Sequence, residues 1–335
     1  MRIFLLLLLG TCVLLSGCGT APPLEPVDAD AIKQEQQQQT VAALRHTAQQ
    51  RIRLHSVAYP ILIGVAQTHC ANEQRYSLGL MLHQMQTYPE QQQSAVKALY
   101  GSLQHPTLLH VLPASSAVDK LHPGDSILRI NQQPAGSSLS HTLQQIEAAI
   151  AKGQTVSLTI QRDGQILEQS LSPKPTCHYP VRFSRSDSVN GYADGQNITI
   201  NAGMLRFAND AELALIIAHE LAHNVLKHTR TEVQRVTLAG LVDLMLISSG
   251  IPSPGIAMGL AGNLGLETFE LQADRLAIEM LATAGYPLDG LADFWRRLGR
   301  EYPHSIHSKG VESHPGTAER YLRMQQYILK FQTGL

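Results

Sequence analysis

Hydrophobic and polar positions change period several times along the chain, and each change predicts an element. Residues 211–228 read A-E-L-A-L-I-I-A-H-E-L-A-H-N-V-L-K-H, with Leu213, Ile216, Ile217, Leu221 and Val225 at helical spacing. This predicts a largely buried helix. Asn209 caps its start, and Glu212, three residues on, reaches back to complete a capping box. A second helix carries Glu270 and Asp274 and ends near Gly285, with Pro287 beyond. Residues 155–162 and 165–171 flank Asp163-Gly164 and predict a hairpin, preceded by a helix over 139–152. Residues 56–68 (S-V-A-Y-P-I-L-I-G-V-A-Q-T) are apolar and β-branched and predict a strand. A short strand over 197–201, introduced by Asp194-Gly195, is placed as a sheet edge that an extended chain can join. Residues 31–53 hold a glutamine tract; Val41, Leu44 and Ile52 make it a polar helix rather than a disordered segment. Residues 238–265 are apolar but are broken by Asp243, Pro252 and Pro254 before spanning length. Core packing, a lid and a membrane-surface contact all remain open for them.

The amino terminus has its own pattern. Arg2 precedes an apolar run over 3–15, shorter than the roughly 20 residues of a membrane span, which predicts a signal peptide over 1–17. The run ends Leu15-Ser16-Gly17-Cys18 and resembles a bacterial lipobox. Cleavage there leaves Cys18 lipidated; the alternative is an ordinary signal with an incidental cysteine. Gly19, rather than Asp, favours the outer membrane over the inner, with the protein facing the periplasm. Residues 18–30, with three prolines, read as a tether.

Composition narrows the partners. A net charge of -1 without a basic patch argues against nucleic acid. Of four cysteines, Cys12 leaves with the signal and Cys18 carries lipid, so Cys70 and Cys177 remain. They bracket the β-rich stretch between them. In an oxidising compartment they are expected to pair, because the ends of a compact inserted domain lie close together. Two buried free thiols are the alternative.

The chemistry centres on residues 219–223, H-E-L-A-H. His219 and His223 share a helix face, and Glu220 lies about a third of a turn round. Two imidazoles at this spacing suit a zinc ion, and the carboxylate suits proton abstraction from water. A third ligand must come from elsewhere. His228 lies five residues past His223, about 140° away on a continuing helix. Glu270 and Asp274 are the better pair: one carboxylate can bind metal while the other orients an imidazole.

Two resemblances follow. Leu78-Gly79-Leu80 and the run Leu121-His122-Pro123-Gly124-Asp125-Ser126-Ile127-Leu128-Arg129-Ile130-Asn131 resemble the peptide-binding loop and core of bacterial PDZ domains. This implies a module over 71–176 in which an extended polypeptide adds to a sheet edge. His219-Glu220-Leu221-Ala222-His223, the Glu270 and Asp274 pair, Asn190-Gly191-Tyr192-Ala193 and Ser313-His314-Pro315 with Arg320 resemble the M48 gluzincin metallopeptidases. That likeness implies an α+β fold: a mainly helical zincin-type peptidase domain over 31–70 and 177–335, with a small edge sheet and the PDZ-like module inserted. It implies one zinc per chain on His219, His223 and Glu270, with Glu220 as base and Asp274 behind a ligand. His314 and Arg320 match a late loop facing the metal, where His314 stabilises an oxyanion or closes the fourth position. Family members often have Phe at Tyr192 and other small residues at Gly191. The expected activity is endopeptidase cleavage of unfolded or misassembled envelope proteins. The competing class is a lipoprotein chaperone or scaffold with a latent or structural metal site.

Overall fold

The computed structural model describes residues 25–228, 266–307 and 315–333. Cys18, His314 and the apolar segment 238–265 lie outside them. Helix α1 (Ala29–Gly64) opens the described chain, its first turn capped by Asp28, which accepts from the Ala31 N–H at 2.8 Å. Most of the expected strand over 56–68 is therefore helix. The reason lies in spacing: Leu54, Val57, Ala58, Ile61, Leu62 and Val65 fall on one face and bury against the motif helix and its neighbours. Tertiary burial of that face outweighs β-branching and the N–H missing at Pro60. Among the described residues no helix is long and apolar enough to cross a membrane.

A β-rich module follows α1. Strands β2 (Leu80–His83), β3 (Thr107–Val111), β4 (Ser126–Ile130), β6 (Val156–Arg162) and β7 (Gln165–Leu171) form a sheet in the order β2-β3-β4-β6-β7, with β5 (Gln133–Pro134) paired to β4. The hairpin turns at Asp163 (φ 50) and Gly164 (φ 80), both left-handed, as expected of an Asp-Gly turn. The last residue of β6, Arg162, grips Asp125 with two bonds of 2.7 Å, and Asp125 also accepts from the His122 N–H. Helix α3 (Leu139–Ile150) buries Ile146 and Ile150 in the module core.

The module is closed at its base and docked on one side. Strand β1 (Gln74–Ser77) pairs antiparallel with β8 (Lys174–Cys177), and a disulfide joins Cys70 to Cys177. Both cysteines sit in the second core, that of the helical part. Helix α2 (Glu90–Tyr100) packs on α1, with Ala95 and Val96 fully buried.

The remaining elements build the site. Strands β9 (Val181–Ser184), β10 (Gly191–Ala193) and β11 (Ile198–Asn201) form a sheet in the order β10-β11-β9. The strand expected at the edge, β11, is central and buried at every residue; the edges are β10 and β9. Helices α4 (Ala202–Phe207), α5 (Asp210–Val225), α6 (Leu266–Thr283), α7 (Asp293–Glu301) and α8 (Thr317–Thr333) follow among the described residues, with α5 packed along α6.

Candidate metal centre

Helix α5 begins with the capping box read from the sequence: Asn209 Oδ1 accepts from the Glu212 N–H at 3.0 Å and Glu212 accepts from the Asn209 N–H at 2.8 Å. Arg297 of α7 ion-pairs with the same Glu212. Beyond this anchored start, Leu213 to Ala218 are all buried, so the helix runs through the core and His219 and Glu220 emerge at its inner face.

Helix α6 supplies the facing wall. His219 Nε2 lies 3.1 Å from His223 Nε2, and Glu270 reaches them with different oxygens, Oε2 3.4 Å from His219 and Oε1 3.2 Å from His223. One donor atom from each of His219, His223 and Glu270 lies within 4.8 Å of the other two, close enough to converge on one ion; zinc bound tetrahedrally by bonds of about 2.0–2.1 Å would draw them to about 3.3 Å apart. Behind His219, Asp274 accepts from Nδ1 at 2.9 Å. Arg320 stands in the first turn of α8, not in a loop. It donates twice to Asp274 (2.8 and 2.6 Å), lies 3.4 Å from Glu270 and stacks 3.6 Å over the Trp295 ring. Only 6% exposed, it backs the ligands rather than facing a substrate.

The electrostatics ask for a cation. Among the described residues, Glu220, Glu270 and Asp274 are buried against one buried guanidinium, that of Arg320, a formal charge of minus two with neutral imidazoles. Burial works against a charged His219, but its bonds to Asp274 and Glu270 prevail and push its pKa up to about 10. A pocket that holds a proton this tightly suits a divalent ion in its place. Asp274 is also opposed by burial, yet the Arg320 charge and the His219 bond hold it below the usual carboxylate range. Glu220 goes the other way: burial raises it, with His219, His223 and Arg320 pulling against that rise.

Two participants, Asn224 and Trp295, escape sequence reasoning, and a third, His228, is set aside by it. Asn224 accepts from the Gly195 N–H at 2.8 Å and donates to the Asn197 carbonyl at 3.1 Å, tying the β10–β11 turn to α5 beside His223. His228 contacts His223, and Trp295 supports Arg320. A lone Asn or Trp gives no spacing signal. The close approach of β10 has one legible mark, Gly191: a Cβ there would lie 2.9 Å from Ile200 Cδ1 and 3.2 Å from Ile216 Cγ2.

The peptide-loop residues are elsewhere, in the module. Leu78 is in its core, Gly79 has φ 69 and Leu80 opens β2 opposite Val111. A side chain at Gly79 would meet Ser115 and the Tyr59 ring of α1, so the loop abuts the helix that enters the peptidase core.

Comparisons with known proteins find two families along the chain. Residues 158–328 match Peptidase family M48, and residues 70–161 match the PDZ domain. The first match begins inside β6, whose sheet belongs to the module. Beta-barrel assembly-enhancing protease of Yersinia pestis is 30% identical over 130 residues, 34% of this chain and 26% of that protein. Metalloprotease LoiP of Escherichia coli is 24% identical over 162 residues, 46% of this chain and 63% of that one. The chain thus spans about a quarter of the first of these relatives and under two thirds of the second. The solved HtrA-type protease AlgW with decapeptide is 20% identical, covering 30% of each chain with a TM-score of 0.23.

Proposed function

The chain belongs to peptidase family M48, and from that premise we propose that it is a zinc-dependent endopeptidase of the bacterial cell envelope acting on unfolded or misassembled envelope proteins. The observation that carries the reading is the convergence of His219, His223 and Glu270, with one donor atom of each within 4.8 Å of the others, and Glu220 buried on the same helix. These three side chains would hold the metal. Zinc so held would lower the pKa of water to about 7 and polarise a scissile carbonyl. Glu220 takes the proton from the attacking water and returns it to the leaving amine, a task suited to a carboxylate raised by burial. Strand β10 is the edge along which the substrate backbone lies, held down by Gly191 and Asn224. Asp274 and Arg320 orient His219, and His314 serves the oxyanion or the fourth metal position. The PDZ-like module, through Leu78, Gly79 and Leu80, recruits or positions extended polypeptide or its carboxyl terminus. Lipid on Cys18 anchors the chain, with the outer membrane favoured and the periplasm faced.

The test is hydrolysis of an unfolded polypeptide by zinc-loaded protein lacking residues 1–18, beside Glu220→Gln. Cleavage by the parent and a loss of at least about 100-fold in the variant with zinc retained is expected. A zinc-loaded parent without activity would move the protein to the scaffold class.

A further inference from the structure

Sequence spacing excludes His228 as a ligand because a continuing helix would carry it away from His223. The helix does not continue. It ends at Val225, and Lys227 adopts φ 58, so the chain turns back and brings His228 against His223. We propose that His228 is a positioning residue that sets the tautomer and ring angle of His223 through an imidazole-to-imidazole hydrogen bond. The proposal rests on the metal reading above.

The proton placement follows step by step. His223 Nε2 is the nitrogen that faces His219 and Glu270, so it must keep its lone pair to bind a cation. The His223 proton is therefore on Nδ1, which lies 3.1 Å from His228 Nδ1. Two ring nitrogens at that distance need one donor and one acceptor, so His228 Nδ1 accepts. The His228 proton is then on Nε2, which points at Gln272 Oε1, 3.3 Å away on the helix that carries Glu270. Phe269 holds the ring in place, stacked at 4.3 Å and 14°. His228 is 4% exposed, whereas Gln272 is open to solvent.

The two ligand histidines are thus backed differently. His219 leans on the carboxylate of Asp274, while His223 leans on a neutral ring. A carboxylate in the place of His228 would add one more buried negative charge to a pocket already formally at minus two. A neutral acceptor gives the same orientation without it.

Zinc affinity, measured by competition with a chromophoric chelator at fixed pH, separates orientation from packing. His228→Phe keeps an aromatic ring on Phe269 but has no acceptor; His228→Asn places an oxygen near the lost Nδ1. The expected result is affinity weaker by about 10–100-fold in His228→Phe and within a few-fold of the parent in His228→Asn. The thermal midpoints of the metal-free proteins serve as the folding control. Parent-like affinity in His228→Phe, or equal losses in both variants with unchanged midpoints, would overturn the proposal. Should either variant fail to fold, long-range ¹H–¹⁵N correlation on the zinc-loaded parent decides instead. His228 protonated at Nε2 supports the assignment, and His228 protonated at Nδ1 refutes it. A parent that binds no zinc at all would defeat the metal reading, an outcome distinct from either of these.

Discussion

Arg320 and Asp274 meet in a two-bond pair, 2.8 and 2.6 Å, buried behind His219 and 101 residues from it in sequence on the Arg320 side. The pair makes Asp274 a fixed carboxylate, so the His219 Nδ1 proton is directed to it and Nε2 is left for metal. Asp274→Asn should therefore weaken zinc by about 10–100-fold. Arg320→Met should do more, since it leaves a buried carboxylate without its guanidinium, at a cost of about 3–5 kcal/mol. Urea unfolding of the metal-free proteins checks this: equal stability of parent and Arg320→Met would sink the pairing argument.

Gly191 sets how closely the edge strand lies on α5. Valine there must push either the Ile200 or the Ile216 side chain aside or lift β10. Overpacking of this kind costs about 1–3 kcal/mol. Gly191→Val is expected to lower kcat/KM by at least about 10-fold with zinc stoichiometry unchanged. Pairing it with Ile216→Ala, which opens space under the strand, should recover part of the loss. Activity unchanged in Gly191→Val would show that β10 does not align substrate.

What could be read from the sequence depended on how local the cause was. The capping box at Asn209 and Glu212 and the Asp163-Gly164 turn act within a few residues, and both stand as expected. So do the fold class and the family, because H-E-L-A-H and the later Glu270 are tied to chemistry rather than to packing. Residues 56–64 misled because their β-branched content is local while the force deciding their helix is contact with α5. β11 misled for a related reason. Its place in the middle of the sheet depends on β9 and β10 on either side, and pairing order leaves no trace in a four-residue strand. His228 was judged on an ideal helix that in fact stops three residues earlier.

The disulfide at the module base closes a span of 107 residues. In the chain-entropy view that is worth about 4–5 kcal/mol, and removing a native bridge commonly costs about 2–5. Replacing Cys70 and Cys177 together by Ala, rather than Ser, avoids burying hydroxyls at two positions that are 2% and 0% exposed. The double variant should lose stability in that range in urea yet keep parental zinc affinity, because neither sulfur touches the metal residues. A loss of zinc affinity at unchanged stability would assign the bridge to the site instead.

The docking side of the module carries a pH dependence of definite sign. His83, 5% exposed, lies 2.8 Å from the Tyr88 hydroxyl with the Tyr100 ring edge-on at 4.8 Å. Burial first, and the Arg51 charge second, lower its pKa to about 4, and His55 is lowered to about 4 by the same two causes. In the unfolded chain both titrate near 6.5. Between those values the unfolded state binds protons that the folded state refuses, so stability rises with pH. The contribution is complete above about pH 6.5 and is lost as pH falls toward about 4, up to about 3 kcal/mol for each histidine. Asp274, held low, acts with the same sign but only below the ordinary carboxylate range. His83→Asn keeps an acceptor for Tyr88 and cannot titrate. Its urea stability measured between pH 7.5 and pH 4.5 should therefore fall less steeply than that of the parent, with the two converging at the acid end. Parallel curves would mean that His83 is protonated in the folded protein and that the docking side does not resist its charge.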